Sequence, residues 1–518
     1  MSSPVPAPRA GAKEWLGLAV LLLPTILLFL AMTVLFLATP QIAADLKPGS
    51  GQLLWINDVY GLVMAGLLVA MGTLGDRIGR RRVLLFGAAV FGAASAAAAF
   101  APDAGLLIAA RAAMGVGAAG VMPSTLSLIS NMFQDGRQRG TAIGMWAASV
   151  SVGVAIGPLV GGLLLESFWW GAALLIGVPV MALVLIAAPV LVPEYRAPGA
   201  GAPDVPSVLL SMASLLPIVY GIKEFAKHGP TAVAFGTAGV GLLLSVVFVR
   251  RQLRLAMPLL DVRLFADRTF SGALGVFLSS SIALGGVYLL FTQYLQLVAG
   301  LSPLESGLWI LPAALALVAV STLSPRIARR VRPAYAVAGG ALLSVSGYLV
   351  LTQVEAGGLL LLIVGFYLLY PGVAPSMALT TDLVIGSAPP EKAGAASAVN
   401  TTASDLGVSL GIAVLGSIGT AVYRAQMPDG APGAAGDTLP GALDAAEGLP
   451  ADQASALTDQ AGAAFTAGLN TAAGGAALLA ALAAVLAVTL LRRVPPTGTP
   501  APPAGGGEEE REEEPVGS

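Results

Sequence analysis

The sequence predicts an all-α polytopic membrane protein with fourteen transmembrane helices, and three observations carry that reading. Of its 518 residues, 56% are hydrophobic and 11% charged, with a mean hydropathy of +0.83, whereas a soluble domain carries about 25% charged residues. The apolar residues fall in runs of about 17 to 25, the length that crosses a bilayer as a helix. Lys and Arg gather in alternate gaps between those runs. The 64 Gly and 36 Pro are many for a soluble helical protein and ordinary for membrane helices. Absence of cysteine excludes disulfides, thiolate nucleophiles and Cys-ligated metal centres. One histidine, His228, leaves no histidine metal cluster and argues against a triad-based enzyme. A net charge of −2 gives no sign of a nucleic-acid partner.

Reading the apolar runs against charged or Pro/Gly-marked breaks places spans near 15–37, 53–73, 83–101, 105–130, 141–165, 170–191 and 208–222. The remaining seven fall near 231–249, 269–299, 306–324, 334–352, 358–382, 394–422 and 464–490. The first run is too long for a cleaved signal peptide and lacks a small-residue cleavage site. With residues 1–14 placed in the cytoplasm, the cytoplasmic gaps hold twenty-two of the 27 basic residues. Lys47, Lys223, Lys227 and Arg424 fall outside, and Arg111 lies within a span. That asymmetry satisfies the positive-inside rule. Both termini are then cytoplasmic, and a multi-pass protein of the plasma membrane is expected.

Two further segments leave the membrane. Residues 423–463 are acidic and rich in Ala, Gly and Pro, long for a bundle loop, and read as an external hairpin or a mobile loop. The tail 491–518 is Pro/Gly-rich and then carries Glu508–Glu510 and Glu512–Glu514, so disorder is expected.

The chain repeats itself. Leu74–Arg81 reads L-G-D-R-I-G-R-R and Leu323–Arg330 reads L-S-P-R-I-A-R-R, identical at five of eight positions. Equivalent elements after the second and tenth spans point to a duplicated bundle. Around the first octet, Gly75 and Gly79 permit a tight turn. Asp76 can accept from arginines and a helix N-terminus in one conformation and lose those partners in another. In the fourth span, Arg111–Gly120 reads R-A-A-M-G-V-G-A-A-G. Its glycines mimic a dinucleotide fingerprint, but no strand precedes them. Arg111 matters more: a cation inside a span costs about 2.5 kcal/mol or more and marks a functional candidate. In the fifth span, Gly153, Gly157 and Gly161 form a flat face for close helix contact, followed by Gly162, and Pro158 introduces a kink.

These three stretches resemble the major facilitator superfamily. Gly72, Gly75, Asp76, Arg77, Gly79, Arg80 and Arg81 match its inner-gate motif. Arg111 and the following glycines match its fourth-helix motif, implicated in proton transfer. Gly153, Gly157, Pro158, Gly161 and Gly162 match the signature of its antiporters and exporters. With fourteen spans, the chain resembles the drug:proton antiporter family of that size. Gln52–Gly61, Met122–Phe133, Phe168–Gly171, Pro193–Arg196 and Ala393–Ala398 narrow the likeness to the quaternary-ammonium multidrug exporters. The resemblance implies a major facilitator fold: six-helix bundles over 15–191 and 269–490, with an inserted pair over 208–249. It implies proton-coupled export of small lipophilic, cationic drugs or antiseptics, driven by the proton gradient without cofactor, metal or obligate protein partner. Export of a neutral or zwitterionic compound is the alternative, with uptake by the same fold behind it.

The sequence departs from that branch where an acid is usual in the first helix: Ala31 and Phe36 stand where Asp and Asn would fall. In the thirteenth span, Thr401 and Asp405 occupy the positions of a pair of acids. The candidate coupling and substrate residues are therefore Asp405, Asp58 and Arg111, with Thr402 and Ser409 sharing Asp405's helix face. A mid-membrane acid on a polar stripe is expected to face a wet cavity and to exchange protons. Asp382 and Glu166 sit at span ends. Tyr60, Trp146, Tyr288, Tyr294 and Tyr370 are candidates for a lipophilic pocket wall.

Overall fold

The computed structural model describes residues 10–196, 204–255, 258, 262–387, 393–428, 431 and 433–496. Among these residues there is no strand, and fourteen helical stretches are long and apolar enough to cross a membrane. The first six spans are α1 (Ala12–Leu46), α2 (Ser50–Ile78), α3 (Arg80–Ala99), α4 (Ala104–Met132), α5 (Gly136–Ser167) and the joined pair α6 (Trp170–Leu175) and α7 (Gly177–Leu191). A hairpin follows, α8 (Val205–His228) and α9 (Ala232–Arg254). The last six spans are α10 (Arg268–Gln293), α11 (Pro303–Ala328), α12 (Pro333–Leu351), α13 (Leu359–Gly386), α14 (Ala393–Gln426) and, after the short α15 (Leu439–Ala446), α16 (Ala451–Leu491).

Polar side chains cap the first turns of several helices. Asp103, Thr231, Asp267 and Ser302 accept from backbone N–H groups of the first turns of α4, α9, α10 and α11. Prolines sit inside α4, α5, α8, α11 and α13, as membrane helices tolerate. The first six spans pack on one another, the last six do likewise, and the two groups meet along α2–α14 and α5–α11. The arrangement is two six-helix groups with a two-helix hairpin between them in the chain.

The two groups are not equally close at both ends. At the end opposite the arginine octets, a Cβ on Gly162 of α5 would lie 2.8 Å from Leu304 Cα of α11. There too, Gln296 Nε2 donates to Leu37 O at 2.9 Å and Lys47 pairs with Asp444 at 2.7 Å. At the arginine-rich end, Arg139, Gly140, Thr141, Gly144, Met145, Ala147 and Ala148 of α5 are all exposed. Nothing lies within 4 Å of a Cβ on Gly140 or Gly144. At 100° per residue these positions wrap most of the helix, more than a lipid-facing stripe needs. A cleft therefore opens between the halves toward the arginine-rich end.

Three boundaries differ from the sequence reading. α1 continues to Leu46, carrying Pro40 within it. α8 continues past the expected end at 222, which brings Lys223 into the helix, buried, instead of into an outer loop. Much of 423–463 is helix: α14 reaches Gln426, α15 occupies Leu439–Ala446 and α16 begins at Ala451. The segment is tied down by Tyr423 Oη donating to Ala435 O at 2.8 Å, by Arg424–Asp437 at 3.1 Å and by the Lys47 pair. Residues 1–9, Lys392 and the acidic part of the tail lie outside the described residues.

The hairpin is held at its arginine-rich end by a polar knot. Asp204 caps α8 through Ser207 N at 3.2 Å and accepts from Arg251 Nη2 of α9 at 2.7 Å. Gln252 Nε2 donates to Ser207 Oγ at 2.7 Å. Partial burial pushes the Asp204 carboxyl up, but the donors on Ser207 and Arg251 outweigh it and hold it below its ordinary range. Its contribution is thus present above the unfolded-state value and is lost as pH falls through the lower folded value. Asp204→Ala should cost about 1 kcal/mol, read as a lower melting temperature in detergent at neutral pH, with the gap from wild type closing as the buffer is taken below pH 4.

Candidate functional site

α2 and α14 approach closely because Gly61 has no side chain: a Cβ there would stand 2.7 Å from Ser409 Oγ and 3.7 Å from Asp405 O. Thr402 Oγ1 donates to Ala65 O at 3.4 Å and Ser409 Oγ to Asp58 O at 3.4 Å. The stripe Thr402, Asp405 and Ser409 therefore lies against α2, where an open wet cavity was expected. Close packing over Gly61 excludes one. Asp405 is 3% exposed, and its Oδ2 has no hydrogen-bond partner among the described residues.

Asp58 is buried two turns into α2, and Lys223 of α8 reaches it, with Nζ 2.9 Å from each carboxylate oxygen. The same Nζ stands 3.7 Å from the Trp55 ring centroid. Sequence reading missed this partner because a lysine was taken as the mark of a span's end. The signal available was the helix-forming run that continues past it to His228. Arg111, placed in the membrane by the sequence, is 1% exposed. Its Nε donates to Ile56 O at 3.3 Å and its guanidinium lies 4.6 Å from the Tyr60 ring centroid. The helix α2 between Trp55 and Ala65 thus receives polar side chains from α4, α8 and α14. The Tyr60 ring thus lies beneath the Arg111 guanidinium.

The first octet makes the bend between α2 and α3. Gly79 turns it at φ 121°, and a Cβ there would strike the Glu194 carboxylate at 2.6 Å. Gly75, expected in the turn, is instead inside α2, where its bare backbone makes room for Arg80: a Cβ would meet Arg80 Cδ at 2.8 Å. Gly72 leaves ordinary contact distances, 3.8 Å to Arg80 Nη1. Asp76 accepts from Arg80 Nε at 2.8 Å. Arg81 donates from its backbone to Glu194 Oε1 at 2.9 Å and from Nη1 to Val192 O at 2.9 Å, capping α7. Arg77 is exposed. The octet is thereby clamped to Pro193–Arg196 within its own half.

The small-residue stretch of α5 has two faces. Gly153, Gly157 and Gly161 abut α1 at Ile26 O, Thr33 and Val34. Pro158 and Gly162 instead face α11: Gly162 meets Pro303 and Leu304, and Gly307 lies against the Pro158 carbonyl. The same stretch holds the first half together and seals it to the second.

Aromatic rings cross between the halves as well. Phe36 of α1 sits edge-on to Tyr288 of α10 at 5.2 Å, and Tyr288 stacks with Tyr370 at 5.9 Å. Phe366 stacks on Tyr370 at 4.9 Å and on Phe291 at 3.9 Å. Ala31 is buried. Tyr294 is an anchor for a loop, donating to Glu355 O at 2.7 Å, and Trp146 donates to Thr125 Oγ1 at 3.2 Å. Among the described residues, no group of three His, Cys, Asp or Glu side chains is placed to hold a metal ion.

Residues 21–412 match the sequence model of the Major Facilitator Superfamily. The chain belongs to that superfamily. Superfamily relatives of known name include the multidrug efflux pump LfrA of Mycolicibacterium smegmatis, 44% identical over 89% of this chain and 93% of that protein. The methyl viologen resistance protein SmvA of Salmonella typhimurium is 37% identical over 88% of this chain and 93% of its own length. Among solved structures, an inward-facing, unoccupied bacterial homologue of the human lysosomal transporter Spinster aligns with a TM-score of 0.65 at 17% identity, covering 93% of this chain and 98% of that one. At that identity the likeness shows the superfamily fold. This superfamily member is a membrane transporter and not an enzyme.

The packing at Gly162 predicts a conformational outcome. Gly162→Leu cannot keep its contact with Pro303 and Leu304, so the ends of α5 and α11 must part. Spin labels placed on those ends should report a longer mean distance than in wild type, and an unchanged distance would contradict the seal.

Proposed function

We propose that the chain is a proton-driven exporter of lipophilic cations across the plasma membrane, with both termini cytoplasmic. The observation that carries the reading is Asp405: a carboxyl buried mid-span at the seam between the halves, one oxygen unpartnered, with no ion pair among the described residues of the kind that occupies Asp58. A cation and a proton would compete for it. When the α2–α14 contact over Gly61 loosens, the deprotonated carboxylate attracts a lipophilic cation, with Phe36, Tyr288 and Tyr370 as an aromatic wall. The six-helix bundles 15–191 and 269–490 then rock about the α2–α14 and α5–α11 seams. In the outward-open form a proton from outside neutralises Asp405 and releases the cation. One proton entering for one monocation leaving moves no net charge, so the pH difference drives the exchange, and each pH unit supplies about 1.4 kcal/mol, roughly a tenfold gradient.

The seam at Gly162 supports export in this scheme by closing the outer end while the inner cleft is open. The first octet would act as the inner gate, with Asp76 exchanging Arg80 for other partners as the halves move. The names of the efflux relatives agree with drug export. A second reading is also supported by one observation: Lys223 already neutralises Asp58, which favours neutral compounds. The alternation of cation and neutral substrates is therefore decided at the acids.

Reconstituted vesicles with an imposed pH gradient test the proposal. Ethidium-like cations should trigger proton flux in wild type, and Asp405→Asn should fall to the level of protein-free vesicles. Asp382→Asn, exposed near the end of α13, should stay within about twofold of wild type. Equal flux for wild type and Asp405→Asn would remove Asp405 from the mechanism, and flux with neutral compounds alone would favour the second reading.

A further inference from the structure

An ammonium held over an indole face and against a carboxylate is the chemistry with which proteins bind organic cations. This chain builds that arrangement from Trp55 and Asp58 on α2, and the ammonium in it is its own Lys223. The Lys223 and Asp58 side chains are 4% and 0% exposed. Arg111 of α4 is within Coulombic range of Asp58, and Ser409 of α14 bonds its backbone carbonyl. No other described charged side chain is paired with either partner.

The helix that carries Lys223 is lightly attached. One face of α8 is uncovered, as its exposed Leu209, Tyr220 and Phe225 show. Its docking on the bundle rests on a small cluster of Leu62, Val219 and Ala413, on Met212 lying over Gly66, and on the ion pair. α8 touches α2 of one half and α14 of the other. Any rocking along the α2–α14 seam therefore shears α8 against one of them, and the Lys223–Asp58 pair lies on that boundary.

We propose that Trp55 and Asp58 form a binding site for organic monocations and that Lys223 is its tethered occupant, setting the transporter's charge selectivity by competing with substrate. The inference rests on the export of lipophilic cations proposed above and adds the residue that limits it. Removing the ammonium frees the carboxylate to a substrate, and a bound substrate expels the ammonium from its burial.

The full chain purified in detergent tests this by binding rather than flux. Tetraphenylphosphonium should bind Lys223→Gln about tenfold more tightly than wild type, and Asp58→Asn/Lys223→Gln should return to wild-type affinity. Triphenylphosphine oxide, neutral and of similar size, should not distinguish the three. Because unpairing a buried carboxylate threatens folding, a second measurement uses wild type: tetraphenylphosphonium should increase reductive methylation of Lys223, read by peptide mass. Equal tetraphenylphosphonium affinity in wild type and Lys223→Gln, or Lys223 labelling unmoved by the cation, would overturn the proposal. Flux failure in vesicles would defeat the export reading alone, since neither binding readout depends on coupling.

Discussion

Charge inside a bilayer is stable only when something beside it replaces water, and four buried ionisable side chains, Asp58, Arg111, Lys223 and Asp405, bring that constraint to bear on a single stretch of α2. Between Trp55 and Ala65 this helix offers a carboxylate, two aromatic faces and backbone carbonyls. Around it gather α4 with Arg111, α8 with Lys223 and α14 with Asp405 and its hydroxyl neighbours. The hairpin α8–α9 has little apolar contact with the rest, so the Lys223–Asp58 pair is a principal reason that it sits where it does. Truncating one partner of such a pair leaves the other buried and unpaired, which is far costlier than never having built it.

Glycine decides how near the helices come. Gly61 allows α14 to lie on α2, Gly153, Gly157 and Gly161 allow α5 to lie on α1, and Gly162 with Gly307 allows α5 to reach α11. In a membrane, where apolar surface gains little by leaving lipid, such close approach is what holds helices together. Because the cross-half contacts of α5 are concentrated at one end, the two halves can be shut there and parted at the other. The aromatic cluster from Phe36 to Phe291 spans the same division. Phe36 brings an aromatic face to it from the position where the branch usually has Asn.

Reading the residues one by one located some side chains where the structure has them and misplaced others, for identifiable reasons. Arg111 stood out because a lone cation in an apolar run has no innocuous explanation, and it is buried as expected. Thr402, Asp405 and Ser409 do share a face, since helical spacing alone dictates that, but the spacing could not say that the face would meet Gly61. Gly75 was read as a turn residue from its place in a glycine-rich motif; only the path of the Arg80 side chain shows that its role is space. Lys223 was read as a boundary because charge usually ends a span, and the exception depends on a carboxylate 165 residues earlier in the chain. Residues 423–463 looked like loop by composition, yet Ala-rich sequence forms helix once its ends are tied.

What the sequence by itself determined is the number of spans, the alternation of basic gaps and the identity of the intramembrane charges, because each follows from local hydropathy and from the expense of a single buried charge. Pairing was left to the tertiary structure. Which acid is occupied, which is free, which end of the bundle is closed and which glycine is a turn all depend on residues far apart in the chain. Electrostatic and steric contacts act through space, and no local pattern encodes the partner.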